Sequence, residues 1–122
     1  MYKKVLVVDH KGLKLRFSSA EAIPAWRGQS FSTKEPETLE WIETFESNSV
    51  FWDIGANIGL YSVYAAKRHE NMRVYAFEPS VFNLEFLARN INLNELQETV
   101  TLVPVPLSSE TRIGTMNMSN II

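Results

Sequence analysis

Two short apolar runs in this chain each end on a carboxylate, and the residues that follow them are of the types that bind a nucleoside. Val50-Phe51-Trp52-Asp53-Ile54 turns into Gly55-Ala56-Asn57-Ile58-Gly59, and Arg73-Val74-Tyr75-Ala76-Phe77 closes on Glu78-Pro79. Gly55 and Gly59 have no Cβ, so the backbone there can take φ > 0 and come close to a ligand. A helix starting near Asn57 would offer its first N–H groups to a carboxylate or phosphate. If the two runs are neighbouring parallel strands, Asp53 and Glu78 lie at one edge of the sheet, where Glu78 can accept hydrogen bonds from a ribose diol.

Other nucleotide motifs are excluded by particular residues. The dinucleotide fingerprint G-x-G-x-x-G requires glycine where Asn57 stands, and no Gly-Lys-Ser/Thr follows to hold phosphates and magnesium. Glu37, Glu40, Glu43 and Glu46 form a solvated acidic face rather than a metal site, because no His or Asp joins them at ligand spacing. The chain has no Cys, which removes disulfides, a thiol nucleophile and cysteine-ligated metals together. His10 reads as a solvated turn-tip residue, and His69, with Lys67 and Arg68, as a cation complementing a helix C-terminus.

The elements that must position the site follow from periodicity. Residues 3–8 and 13–17 are β-prone and joined by Asp9-His10-Lys11-Gly12, a hairpin with Gly12 left-handed. Residues 18–32 are turn-rich, interrupted by Pro24 and Gly28, and read as a connector. A helix should start at Pro36, where a missing N–H costs nothing, and run to Glu46 with Leu39, Trp41, Ile42 and Phe45 inward. After the glycine loop, residues 58–69 carry apolar or small side chains on most faces and predict a helix buried on more than one side, with Tyr64 a packing residue and Tyr61 either core or ligand contact. Ser80 is an N-cap for a helix with Leu84, Leu87, Ala88 and Ile91 at helical spacing, ended by Asn92 and Asn94 in the left-handed conformation. Residues 100–105 form a third strand, and Pro104 assigns it to a sheet edge. Residues 111–118 predict a further strand turning around Gly114.

Three spaced motifs carry a family likeness. Asp53-Ile54-Gly55-Ala56-Asn57-Ile58-Gly59-Leu60-Tyr61-Ser62, then Tyr75-Ala76-Phe77-Glu78-Pro79, then Asn90-Ile91-Asn92-Leu93-Asn94, with the lead-in Lys34-Glu35-Pro36-Glu37-Thr38-Leu39-Glu40-Trp41-Ile42, resemble FkbM-type S-adenosylmethionine-dependent methyltransferases. The resemblance covers about residues 33–118. It implies an α/β, Rossmann-like class I methyltransferase fold: a parallel sheet core with strand order 3-2-1, preceded by the N-terminal β-hairpin and helix. Residues 1–46 would be that lead-in and 47–122 the cofactor-binding half of a catalytic domain, apparently truncated. It implies S-adenosylmethionine as cofactor: Gly55, Asn57 and Gly59 at its methionine end, Asp53 ordering its amino group, Glu78 on the ribose hydroxyls, and Pro79 with Leu107 and Ser108 beside adenine. The general base is unassigned, and the chemistry requires no metal. The acceptor would be a hydroxyl of a small molecule or glycan.

Composition sets the outer bounds. A length of 122 residues suits one small domain, 45% hydrophobic residues suit a packed core, and a net charge of −2 gives no electrostatic reason for a nucleic-acid or membrane partner. With no secretory h-region or long apolar span, the expected compartment is the cytoplasm. Two other classes stand beside the enzyme. One is a non-catalytic module that keeps the cofactor cleft, and the other is a dehydrogenase-type nucleotide domain, which the missing G-x-G-x-x-G opposes. Three strands ordered 3-2-1 leave one edge of the Val50–Ile54 strand unpaired, so the isolated chain is expected to self-associate.

Overall fold

A computed structural model of the chain describes residues 5–18 and 36–107. The expected start of the first strand at Lys3, the connector at 18–32 beyond its first residue, Ser108 and the strand at 111–118 lie outside the described residues. The elements are β1 (Val5–His10), β2 (Leu13–Ser18), α1 (Pro36–Glu43), β3 (Val50–Ile54), α2 (Leu60–Arg68), β4 (Arg73–Phe77), α3 (Val81–Leu93) and β5 (Val100–Val103).

Strands β3, β4 and β5 form a parallel sheet in that order. This is the expected 3-2-1 arrangement with β5 at the end of the order, but β5 stops at Val103, so Pro104 lies just past the strand rather than within it. Side chains alternate across it. Phe51, Val74, Ala76 and Val100 are buried on the face covered by the helices, while Val50, Trp52 and Ile54 stay more than half exposed on the other. Along α2, residues Ser62 to Ala66 are all buried, as its uniformly small or apolar surface predicts. Leu15 and Phe17 of the hairpin, both fully buried, join Leu39, Ile42, Val63, Leu87 and Ile91 in one core, so hairpin, helices and sheet share a single apolar interior.

The hairpin turns through Lys11 (φ 48) and Gly12 (φ 84), the two consecutive left-handed residues that a tight two-residue hairpin loop needs. His10 is therefore the last strand residue, paired with Leu13, and not a solvated tip. Its ring stands edge-on to Tyr64 at 5.3 Å. The outer edge of β2 is covered by side chains. Asn94 accepts from the Arg16 N–H at 2.9 Å and donates to its carbonyl at 2.7 Å, and Lys67 Nζ donates to the Lys14 carbonyl at 2.8 Å. These contacts satisfy backbone groups that would otherwise template another strand.

Several boundaries differ from expectation for local reasons. Helix α1 stops at Glu43 rather than Glu46, because the Thr44 hydroxyl and N–H both donate to the Trp41 carbonyl. Trp41 lies on the rim rather than inside: it is 56% exposed, with its ring edge-on to Phe45 and Phe51. Glu43 leaves the expected solvated face and accepts from Arg68 Nε at 2.9 Å and from the Tyr64 hydroxyl, joining α1 to α2. That hydroxyl contact confirms Tyr64 as a fully buried packing residue with a satisfied polar end. His69 reaches the Ile42 carbonyl at 2.7 Å, so its ring serves the end of α1 rather than its own helix. On α3, Ala88 faces solvent. Asn94 ends that helix at φ −100, and the left-handed residue is Glu95 at φ 57.

Candidate functional site

At the carboxyl end of β3 the chain crosses toward β4. The Gly55 and Ala56 N–H groups both donate to the Phe77 carbonyl at 2.9 Å, and the Asn57 N–H donates to Glu78 Oε1 at 2.7 Å. Three successive amides thus converge on the end of β4. Holding that path requires left-handed backbone at Gly55 (φ 72), Asn57 (φ 55) and Gly59 (φ 95). Glycine tolerates this region, and asparagine is among the side chains that do so best. The sequence reading anticipated the two glycines but not Asn57; the signal was the residue type itself at the centre of the turn.

The three loop positions meet different surroundings. A Cβ built on Gly55 meets nothing within 4 Å, so the loop there faces open space. One built on Gly59 would stand 2.7 Å from Leu87 Cδ1, so this glycine lets α3 pack directly against the loop. Helix α2 begins only at Leu60, with Gly59 as its cap and no side chain from that cap on the first-turn amides. The dipole of α2 favours an anion at this end of the helix.

Asp53 is on the buried face of β3, directed at α2. Its Oδ2 accepts from the Ser62 hydroxyl at 2.6 Å, and the Ser62 backbone N–H also bonds the carboxylate. Burial pushes the Asp53 carboxyl above its ordinary range, the Ser62 bonds oppose this, and the neighbouring Glu78 charge adds to the rise. In effect Asp53 supplies from another element the cap that Gly59 lacks. Ser62 was not singled out in the sequence, and nothing local ties it to a residue nine positions earlier.

Glu78 is 2% exposed. Beside Asn57, it accepts the Ser80 N–H at 3.0 Å and Asn83 Nδ2 at 3.3 Å, both on Oε2. Ser80 is the expected cap of α3, accepting from the Asn83 N–H at 3.5 Å. Three of the roughly four acceptor sites of a carboxylate are thereby filled from within the chain. Pro79 is half-buried between Glu78 and this cap. Exposed apolar residues surround the same end of the sheet: Ile54, Val81, Phe82, Val105 and Leu107. Asp53, Gly55, Asn57, Gly59, Glu78 and Pro79 therefore come together at one sheet edge, Gly55 facing open space and Asp53 and Glu78 turned inward. Among the described residues no group of three or more His, Asp or Glu could hold a metal ion, and no helix is long and apolar enough to cross a membrane.

No protein-family model matches the chain. It is similar to methyltransferase sdnD of Sordaria araneosa, 37% identical over 68 residues covering 56% of this chain and 26% of that protein. It is also similar to the hexuronic acid methyltransferase AglP of Haloferax volcanii, 25% identical over 85 residues covering 70% of this chain and 34% of AglP. The chain thus spans only about a quarter to a third of the curated relatives it matches. Among solved structures, M. jannaschii TYW2 in complex with AdoMet superposes with a TM-score of 0.62 at 24% identity, covering 86% of this chain and 46% of that one. The chain is thus distantly similar in sequence to methyltransferases and has the α/β fold of the class I enzymes.

Proposed function

We propose that this chain is the donor-binding part of an FkbM-type methyltransferase that transfers the methyl group of S-adenosylmethionine to a hydroxyl of a small molecule or sugar. The observation that carries the reading is the glycine loop between Asp53 and Glu78, with three left-handed residues and three amides tied to the end of β4. The similarity to sdnD and AglP supports methyl transfer, and the hexuronic acid in AglP's name supports a sugar acceptor.

The residues present fit the donor. The positive end of the α2 dipole suits its carboxylate, and the open side of Gly55 leaves room for its methionine end. Glu78 keeps one acceptor site for a ribose hydroxyl; a second opens if Asn83, whose bond is the longest of the three, swings aside. Pro79 and Leu107 supply apolar surface for adenine. When bound, the donor supplies an electrophilic methyl on a sulfonium. What the residues named here contribute is orientation, which can lower a barrier by several kcal/mol in well-aligned cases (about 7–11 in model systems). In this arrangement Asp53 holds α2, and Glu78 holds the loop.

Calorimetric titration of the full-length protein with S-adenosylhomocysteine and with NAD tests the reading. Binding of the former alone supports it, and NAD binding without a response to S-adenosylhomocysteine sinks it. Turnover with a labelled methyl donor then separates the enzyme from a module that binds the donor without using it.

A further inference from the structure

Helix α3 carries a buried asparagine that neither donor binding nor apolar packing accounts for. Asn90 is fully buried; its Oδ1 accepts the Ser18 N–H of β2 at 2.7 Å and its Nδ2 donates to the Ile58 carbonyl of the glycine loop at 2.8 Å. A single amide thus joins the N-terminal hairpin to the loop that crosses the candidate site. Leu87, one turn earlier, packs where a Cβ on Gly59 would lie, and Asn94, one turn later, clamps both backbone groups of Arg16. Residues 87, 90 and 94 recur at helical spacing on one face, so α3 sets the distance between hairpin and loop.

We propose that Asn90 is a positioning residue for the glycine loop, and that through it the N-terminal hairpin belongs to the same cooperative unit as the donor site. A fully buried amide bonded on both sides cannot lose one partner cheaply, because the group left behind keeps its full desolvation penalty. Undocking the hairpin therefore also loosens Ile58, and ordering the loop favours the docked hairpin. By thermodynamic linkage the coupling acts equally in both directions. Its consequence for donor affinity rests on the methyltransferase reading, whereas the holding of the loop does not.

Amide hydrogen exchange on the full-length protein tests this without ligand. Asn90→Ala removes both bonds, and about tenfold faster exchange is expected at the Asn57 and Gly59 N–H groups, with Val74 in the sheet unchanged. Ser18→Pro removes the N–H that Asn90 accepts, together with the buried hydroxyl, at a strand edge where proline is tolerated, and is expected to speed the same loop amides. Unchanged loop exchange in either folded variant overturns the proposal, as does an equal loss of protection at Val74, which would mean general destabilisation. In the unmodified protein, S-adenosylhomocysteine is expected to slow exchange at Ser18 as well as in the loop. Loop amides that slow while Ser18 does not would overturn the coupling and leave the donor reading standing. No response at any amide would overturn the donor reading, and the two variants would then decide the role of Asn90.

Discussion

The Glu78 carboxylate accepts the Asn57 backbone N–H at 2.7 Å, across the gap between the end of β4 and the left-handed centre of the glycine loop. With the Gly55 and Ala56 amides on the Phe77 carbonyl, that bond fixes the loop against the end of β4. Replacing Glu78 by Ala leaves the Asn57 and Ser80 N–H groups without their acceptor, at a cost of about 1.5–3 kcal/mol for each charge-assisted bond. Glu78→Ala is expected to lower both unfolding stability and S-adenosylhomocysteine affinity, and Glu78→Gln, which keeps one oxygen, to lose less of each. Denaturant titration and calorimetry read the two quantities. Wild-type values for both in Glu78→Ala would show that the carboxylate only decorates a strand end.

Asp53 predicts a pH dependence of definite sign. Burial raises its folded pKa above the ordinary 3.8, so between 3.8 and that raised value the folded chain holds a proton the unfolded chain has released. The group's contribution to stability is fully present below 3.8 and is lost as pH rises through the folded value. Asp53→Asn does not titrate and should gain on the wild type between about pH 4 and about pH 7, as read by urea unfolding at the two ends. A gap moving in the wild type's favour with rising pH would mean that the Ser62 bonds outweigh burial.

The two glycines should respond differently to alanine. At Gly55 the added methyl meets open space, so the cost is the left-handed backbone alone, about 1–2 kcal/mol. Gly59→Ala carries that penalty and also drives the methyl into buried Leu87, adding about 1–3 kcal/mol of overpacking. Thermal unfolding should therefore rank Gly59→Ala below Gly55→Ala, whereas donor affinity should fall further than stability in Gly55→Ala. The reverse ranking would mean that α3 yields readily at Leu87.

The uncovered sheet face predicts association. Ser49 and Gly55 bond across to β4, so the alternating residues Val50, Trp52 and Ile54 direct their N–H and C=O groups to the other edge, where no described strand pairs with them. Their side chains are 58%, 59% and 54% exposed. The 122-residue chain expressed alone is expected to self-associate in light scattering, and Trp52→Lys to reduce the effect. A wild-type chain that stays monomeric at concentrations of about 100 µM would remove this edge as a pairing site.

What the sequence determined by itself is the order of elements and the place where ligand chemistry would sit. Alternation in residues 50–54 and 73–77, glycines at 55 and 59, proline at 36 and 104 and serine at 80 act over a few positions, so their physics is legible without a partner. Tertiary structure decided which way each polar group turns. The distance in sequence between Asp53 and Ser62, between Glu78 and Asn57, and above all between Asn90 and Ser18 hides those bonds, because the partners meet only after β2, β3, α2, β4 and α3 have packed. Asn94 reads as a helix-ending residue by type and Asn90 only as part of a motif, yet burial left each amide the β2 edge, the glycine loop or its own helix as partner. Glu43 read as solvent-facing by spacing, yet the approach of α2 gave it Arg68 and Tyr64. In each case local propensity was overruled for the same reason: a polar group removed from water must find its hydrogen bond among the elements that bury it.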